Sequence, residues 1–228
     1  MIRTLQTKSN LGSLADIDHP THSLFFMSRD FVNLNHETPI ASGNNRDVFR
    51  HPDDSELLIK TIKPEVIEKR EGDQSSWTKS RFRRYRFYTN YLRECQEHVV
   101  ARLDDGGIPP FMQQVCGFID TDRGLGLVTR AERDASGDYA KTLQHLINEN
   151  CYDEQIKQAL HRFIEQFLAS RVIVTDLSIK NLVYSFRDPL QPHFVLIDGY
   201  GEKNLIPFNS LSAWCHLRSK RKRVARLH

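Results

Sequence analysis

The sequence predicts an α+β fold in which a five-stranded antiparallel sheet with one helix precedes a reduced helical part, giving two small lobes. Three observations support this. Short apolar runs bounded by Gly, Asn and Pro fill residues 38–62 and 114–130, as in strands. Apolar residues recur at helical spacing over residues 77–98 and 153–170. The chain has 228 residues, 39% of them hydrophobic, which is enough to bury a core.

The predicted sheet begins with a meander. A strand, a turn at Gly43-Asn44-Asn45 and a returning strand are followed by a second turn and a third strand, and two further strands come after the helix. The expected positions are residues 38–50, 56–62, 114–120 and 125–130. Residues 1–35 mix polar residues with one short apolar patch, so we expect an N-terminal extension outside the sheet.

The second half is predicted to be mainly helical. Apolar residues between positions 156 and 168 form a stripe at helical spacing, which indicates core packing. The expected elements are helices at 141–150 and 153–170, strands at 182–184 and 194–197, and a helix from about residue 207. These limits predict one domain over residues 36–223, with an N-terminal lobe to about 130 and a C-terminal lobe from about 131.

The charge is unevenly distributed. The net charge is +3, yet residues 217–228 form a basic tail without an acidic residue. Its cations are Arg218, Lys220, Arg221, Lys222, Arg223 and Arg226. The tail is either a solvated helix end or a site for an anionic partner, and the charges alone do not choose among a membrane surface, a lipid phosphate and nucleic acid.

Cysteine spacing and hydropathy argue against a zinc-type metal site and against a membrane-spanning protein. The four cysteines have no metal-binding spacing, so we expect reduced structural thiols and no metal held by protein ligands alone. No apolar run approaches the roughly 20 residues of a membrane span. The expected location is cytoplasmic, with the tail allowing peripheral contact at the inner membrane.

Four polar residues occur in an order that indicates phosphoryl transfer. Lys60 lies on the third strand after a glycine-containing turn and fits a cation for phosphates. Asp176 fits a catalytic base, and Asn181 and Asp198 supply oxygen ligands that suit magnesium. Each residue alone is more often a solvated side chain or a turn. Their order and their strand and loop contexts together favour the functional interpretation.

At these residues the chain resembles the kinase-like superfamily, and more closely the YrbL-type family, bacterial proteins named for the PhoP regulatory network. The resemblance covers about residues 36–223. It rests on the text from Gly43 to Asp54, Ile59-Lys60, the helix from Arg83 to Leu92, residues 173–181, Ile197-Asp198, Leu205-Ile-Pro207 and Trp214-Cys215. It implies a small protein-kinase-like fold with ATP and Mg²⁺ between the lobes. The residues it places near ATP are Gly43, Asn44, Asn45, Arg46, Lys60, Val128 and Arg130, with Asp176 and Lys60 catalytic.

The sequence departs from the protein-kinase pattern in ways that bear on activity. The phosphate loop has one glycine, Gly43, where protein kinases have three. Arg84 aligns with the glutamate that pairs with the sheet lysine in protein kinases, and a basic residue there would repel Lys60. The acids of the predicted helix, Glu94 and Glu97, lie near its end. An acid such as Glu68 or Glu71 would therefore have to substitute.

Three functions remain open on these observations. The leading one is an ATP- and magnesium-dependent phosphotransferase acting on a small-molecule or lipid-linked hydroxyl, since no Ala-Pro-Glu signature or full peptide-docking segment follows Asp198. The second is a catalytically silent pseudokinase that serves as a nucleotide-binding regulatory or adaptor module. A nucleic-acid binder led by the tail is the weakest, because no aromatic residues for base stacking accompany the charges.

Overall fold

A six-stranded mixed sheet forms the first half of the fold. The computed structural model describes residues 26–72, 88–104, 106–201 and 213–225, with side chains over 31–69, 88–104, 106–201 and 217–225. The strands are β1 Phe26–Val32, β2 Ala41–Ser42, β3 Arg46–Arg50, β4 Leu57–Ile62, β5 Val115–Thr121 and β6 Gly124–Arg130. Their order in the sheet is β1-β5-β6-β4-β3-β2.

The mixed α+β class is confirmed, but the five-stranded antiparallel sheet was wrong. β1 lies inside the stretch expected to be an extension and pairs in parallel with β5, Phe26 beside Gly117 and Val32 beside Thr121. The other four pairings are antiparallel. The strand was missed because its partner lies far along the chain, and because the register shifts between Met27 and Phe31, so no regular alternation marks it.

Five helices and a small hairpin complete the described chain. The helices are α1 Pro64–Gly72, α2 Thr89–Asp104, α3 Leu143–Asn148, α4 Glu154–Ala169 and α5 Ala213–Val224, and the hairpin strands are β7 Leu182–Ser185 and β8 His193–Leu196. α2 ends six residues beyond the predicted helix, whose first part falls in residues 73–87, outside the described residues. Val174, just before the Asp176 loop, forms a single β-bridge with Tyr200.

The helical half has its core on one face of α4. Asp153 caps this helix, its carboxylate accepting from the N–H of Ile156 at 2.9 Å. The predicted apolar stripe packs inward, with Phe163 and Phe167 stacked at 6.0 Å between ring centroids. Phe111 meets both rings edge-on. This packing fixes β7 and β8 beside α4, and thereby positions the loops at the ends of the two strands.

Part of the predicted basic tail is a packed structural element. Lys220 on α5 is 1% exposed. Its ammonium donates to the carbonyls of Phe167 and Ser170 and to the Ser170 hydroxyl, and lies 4.4 Å from the Phe167 ring centroid. These carbonyls close the C-terminus of α4, where a cation satisfies oxygens that the helix leaves without a partner. Lys220 is therefore not available to a polyanion, contrary to its predicted role.

Replacing Lys220 by alanine should destabilise the fold by about 1–3 kcal/mol, because buried carbonyls at the end of α4 lose their donor. Urea denaturation measures this as a lower midpoint at an unchanged slope. The matched control is Lys222→Ala, which removes an exposed lysine from the same helix and should change stability by less than about 0.5 kcal/mol. Equal effects of the two substitutions would contradict the contact.

Candidate active site

The site begins at Lys60, which the central strand β4 holds 5% exposed. Its ammonium donates to the side-chain oxygen of Gln113 and to the carbonyl of Ile197, both at 2.7 Å. Ile197 directly precedes Asp198. Lys60 therefore joins the sheet to the segment that carries the predicted metal ligand.

Glu94 on α2 is the acid beside Lys60. Its Oε2 lies 3.7 Å from the Lys60 ammonium, and the residue is 2% exposed. Glu68, one of the predicted substitutes, is exposed on α1, and the side chains of Glu71 and Arg84 lie outside the described residues. The alignment that put Arg84 at this position was wrong, because the helix turn facing Lys60 lies farther along the chain.

Glu97, one turn further along α2, binds the backbone just before the Asp176 loop. Its Oε2 accepts from the backbone N–H of Ile173 at 2.7 Å. The two acids are three residues apart, so they lie on one helix face. Glu94 reaches the sheet lysine while Glu97 fixes the start of the loop that carries Asp176.

Arg46 forms a bridge between two carboxylates. It is the first residue of β3, directly after the Gly43-Asn44-Asn45 turn, and is 6% exposed. Its Nη1 lies 2.5 Å from Glu94 Oε1, and its Nη2 is ion-paired with Asp198 Oδ1. The sequence placed Arg46 among the nucleotide contacts and gave no sign of this bridge.

The cluster shifts the pKa of each charged partner in a definite direction. Burial lowers the pKa of Lys60 although Glu94 opposes that effect. Burial would also lower the pKa of Arg46, but Glu94 and Asp198 outweigh it and raise the pKa. For Asp198, the attraction of Arg46 and Lys60 outweighs desolvation and holds the carboxyl pKa below its usual value. Arg46 and Asp198 are thus charged at neutral pH.

The predicted base lies on a loop between α4 and β7. The Asp176 side chain is exposed, and the amide nitrogen of Asn181 donates to the Asp176 carbonyl at 3.1 Å. This hydrogen bond fixes the loop and turns the amide oxygen of Asn181 away from that carbonyl. The structure therefore brings Asp176 and Asn181 together. The Asp176 side chain is open to solvent, and the orientation of the Asn181 amide oxygen is fixed by the hydrogen bond of its amide nitrogen.

Gly199 places the Asp198 segment against the same loop. Its carbonyl accepts from the N–H groups of Thr175 and Asp176 at 2.8 and 3.3 Å. Gly199 has φ of +93°, and a Cβ there would lie 2.4 Å from the Asp176 carbonyl oxygen. Only glycine fits this approach, since both the conformation and the space exclude a side chain. The glycine after Asp198 thus sets the spacing between the two aspartates.

The predicted phosphate loop is exposed and makes internal contacts. The N–H of Gly43 donates to the Arg46 carbonyl at 2.9 Å, so this amide closes the turn. Asn44 and Asn45 are exposed in the same turn. Asn45 also accepts from the N–H of Lys63 at 3.0 Å through its carbonyl. Arg46 is the residue of this predicted set that reaches the charged cluster.

The other two predicted nucleotide contacts lie on β6. Val128 is buried and pairs with Ile59, the residue before Lys60. The N–H of Arg130 donates to Gln114, and its carbonyl accepts from the side chain of Gln113 at 2.9 Å. Both residues border the strand of Lys60, but they do not join the cluster of Arg46, Lys60, Glu94 and Asp198.

The donor set suits magnesium held by few protein ligands. Asp198 offers a half-exposed carboxylate and Asn181 an oriented amide oxygen. The N–H of Ile197 donates to the Asn181 carbonyl at 2.9 Å, which fixes these two neighbouring chain segments. Within the described residues no group of three His, Cys, Asp or Glu side chains could hold a metal. Magnesium keeps several waters and phosphate oxygens as ligands, so two protein oxygens fit it.

A buried histidine supports the cluster and was not predicted. His98 on α2 is fully buried, and its Nε2 lies 2.9 Å from the backbone carbonyl of Gln113, whose side chain holds Lys60. Burial lowers the pKa of His98 to about 4, so the ring is neutral at pH 7. Tyr91, Glu94, His98 and Ala101 follow helical spacing in α2, and that periodicity is the signal that could have identified this face.

The fold and the site together define a kinase-like protein. A sheet lysine paired with a helix glutamate is followed by an Asp-to-Asn loop and by an Asp-Gly just after a strand, which is the order in which kinases supply these groups. The chain belongs to the family described as PhoP regulatory network protein YrbL, whose family model matches residues 32–228.

The chain is similar to curated bacterial proteins and to a solved structure. YrbL of Escherichia coli (strain K12) is 26% identical over 195 residues, covering 84% of this chain and 83% of that protein. YrbL of Shigella flexneri gives the same values. Among solved structures, PpkA-294 in its apo form aligns over 83% of this chain and 59% of its own, with a TM-score of 0.43 and 18% identity.

None of the described helices combines the length and the apolar composition needed to cross a bilayer.

Proposed function

We propose that this protein binds ATP with Mg²⁺ and transfers the γ-phosphoryl group to a hydroxyl of a small molecule or lipid head group. The observation that carries the proposal is the gathering of Lys60, Glu94, Asp198, Asp176 and Asn181 where the sheet meets the helical half. Asp198 and Asn181 would hold the magnesium ion, and the bound ion would neutralise negative charge on the phosphates.

Asp176 would act on the acceptor. Its exposed carboxylate can take the proton of the hydroxyl whose oxygen attacks the γ-phosphorus, while the bond from that phosphorus to ADP breaks. Lys60 would supply a positive charge to the phosphates. α5 begins at Ala213, soon after Asp198, which leaves little chain for a segment that docks peptides. A small acceptor therefore fits better than a protein.

A thermal-shift titration with ATP, with and without Mg²⁺, tests the proposal directly. At a ligand concentration about 100 times the Kd, binding should stabilise the fold by roughly 2.7 kcal/mol, and the shift should require the metal. An unchanged melting temperature at millimolar Mg-ATP would refute nucleotide binding.

A second candidate is a pseudokinase that binds nucleotide without turnover and acts as a regulatory or adaptor module. The observations that favour it are the Arg46–Asp198 ion pair and the Gly43 amide engaged inside its own turn. Both reduce what the site offers to metal and phosphate. Binding of Mg-ATP with no measurable phosphoryl transfer or hydrolysis distinguishes this function from the first.

We also propose that α5 contacts an anionic membrane surface. Arg218, Arg221 and Lys222 are exposed at i, i+3 and i+4, so they share one helix face, while Lys220 packs against α4. Leu217, 43% exposed, precedes this basic face. An apolar side chain beside cations is typical of helices that lie on acidic lipid, and each near-surface cation contributes about 1 kcal/mol there.

Changing Arg221 and Lys222 together to glutamate should weaken binding to phosphatidylserine vesicles by at least about tenfold, without lowering stability by more than about 1 kcal/mol. Cosedimentation at two salt concentrations measures the affinity. The control changes Lys69 and Lys157 to glutamate, which alters the net charge equally on α1 and α4. Equal loss in both variants, or binding to DNA but not to vesicles, would contradict a lipid-binding face on α5.

A further inference from the structure

The active-site cluster contains as many basic as acidic side chains. Two cations, Arg46 and Lys60, face two carboxylates, Glu94 and Asp198. A kinase site with one lysine and the same two acids carries a net negative charge that a divalent metal offsets. In this chain Arg46 supplies the missing positive charge from β3.

We propose that Arg46 and a divalent cation compete for Asp198, so that metal enters the site only by displacing the guanidinium from that carboxylate. This inference rests on the proposed function, because it takes Asp198 as the metal ligand. It makes Arg46 the residue that sets how strongly the site binds metal. Arg46 thereby couples metal binding to the arrival of phosphate.

The two ends of the Arg46 bridge differ in their surroundings. Glu94 is 2% exposed, so removing Arg46 would take away its 2.5 Å partner and leave a buried carboxylate compensated by Lys60 at 3.7 Å. The Asp198 side chain is 48% exposed and can exchange a protein cation for a hydrated metal. The contact with Glu94 therefore persists and the contact with Asp198 is the one that opens.

The position of Arg46 in the chain places it where a phosphate can replace Asp198 as its partner. It follows the turn predicted to lie over the phosphates, Gly43-Asn44-Asn45. A guanidinium presents several N–H donors in a planar fork, so the group released from Asp198 can bind a phosphate oxygen while the other nitrogen stays on Glu94. Phosphate also offsets the repulsion between Arg46 and the incoming metal. Metal and nucleotide should then bind much better together than separately.

The test compares two variants in a shared background. Arg46→Gln alone would remove the 2.5 Å partner of the buried Glu94. The two variants compared are therefore Glu94→Gln and the double variant Arg46→Gln/Glu94→Gln, and neither contains a carboxylate at position 94. The Kd for Mn²⁺ alone is measured by the electron paramagnetic resonance signal of the free ion. Removal of the competing cation should tighten Mn²⁺ binding at least about tenfold in the double variant relative to Glu94→Gln. Arg50→Gln, from an exposed position on the same strand, should leave the wild-type Kd unchanged.

The outcomes separate this inference from the proposed function. A tenfold or greater difference within the pair supports competition at Asp198. Equal Mn²⁺ affinity in the two variants overturns the inference alone, since metal would then bind without displacing Arg46. If no variant binds Mn²⁺ at millimolar concentration, with or without ATP, the metal site of the proposed function is wrong and the inference fails with it. Melting curves of both variants confirm that each is folded before the comparison.

Discussion

Asp176→Asn is expected to lower the rate of phosphoryl transfer or ATP hydrolysis by about 10²- to 10⁴-fold, the usual contribution of a positioned acid or base. ATP binding should be nearly unchanged, because the Asp176 carboxylate is exposed and the loop is held by backbone groups. The substitution keeps the shape of the side chain and removes its basicity. Initial rates with purified protein, measured beside a Mg-ATP titration, separate the two effects.

The control for Asp176 lies in the same loop. Ser178→Ala removes a hydroxyl and leaves the Ser178 carbonyl that accepts from the N–H of Asn181 at 3.0 Å. Its rate should stay within about threefold of wild type, since the hydroxyl has no part in the proposed proton transfer. An unchanged rate in Asp176→Asn would assign the activity to another group. An equal fall in both variants would show that the loop conformation, and not the carboxylate, limits the rate.

Asp198→Ala is expected to abolish the magnesium-dependent part of nucleotide binding. The wild-type chain should gain roughly 2.7 kcal/mol at 100 times the Kd, and the variant should gain no more with magnesium than without it. The fold should survive, because Arg46 retains Glu94 as its buried partner. Thermal shifts with ATP, with Mg-ATP and with Mg²⁺ alone measure the three states.

A surface substitution of the same kind separates site effects from general ones. Asp53→Ala removes an exposed carboxylate from the turn between β3 and β4 and should give the wild-type shift. A full Mg-ATP shift in Asp198→Ala would show that this carboxylate does not hold the metal. In that case the Arg46–Asp198 pair would be a structural contact, and the pseudokinase function would be favoured.

Short-range sequence patterns predicted the strands and loops on which the candidate site residues lie. Asp176, Asn181 and Asp198 stand on a loop and a strand end that short-range patterns place well, and Lys60 stands on a clear strand. What these patterns could not supply is the contact between distant elements. Glu94 meets Lys60 only because α2 packs on the sheet in a particular register. The sequence did not show that register, so it assigned Arg84 and not Glu94 to the position opposite Lys60.

Charged residues were the hardest to place from the sequence. Arginine and lysine are usually surface residues, yet Arg46 and Lys220 are both buried against specific oxygen partners. Burial of a charge depends on a partner that the local sequence does not name. By contrast, the apolar stripe of α4 was predicted correctly, because helical periodicity alone determines which face packs inward.

The parallel strand β1 has a consequence for how copies of this chain behave in solution. The region matched by the family model begins at residue 32, where β1 ends. β1 covers one side of β5, and without it the N–H and C=O groups on that side of β5 would form an open sheet edge. Open edges of this kind act as templates for pairing with another chain. In the intact chain β1 is the edge strand on this side, and in a protein trimmed to the family boundary β5 would take that place and become the strand open to pairing with a neighbour.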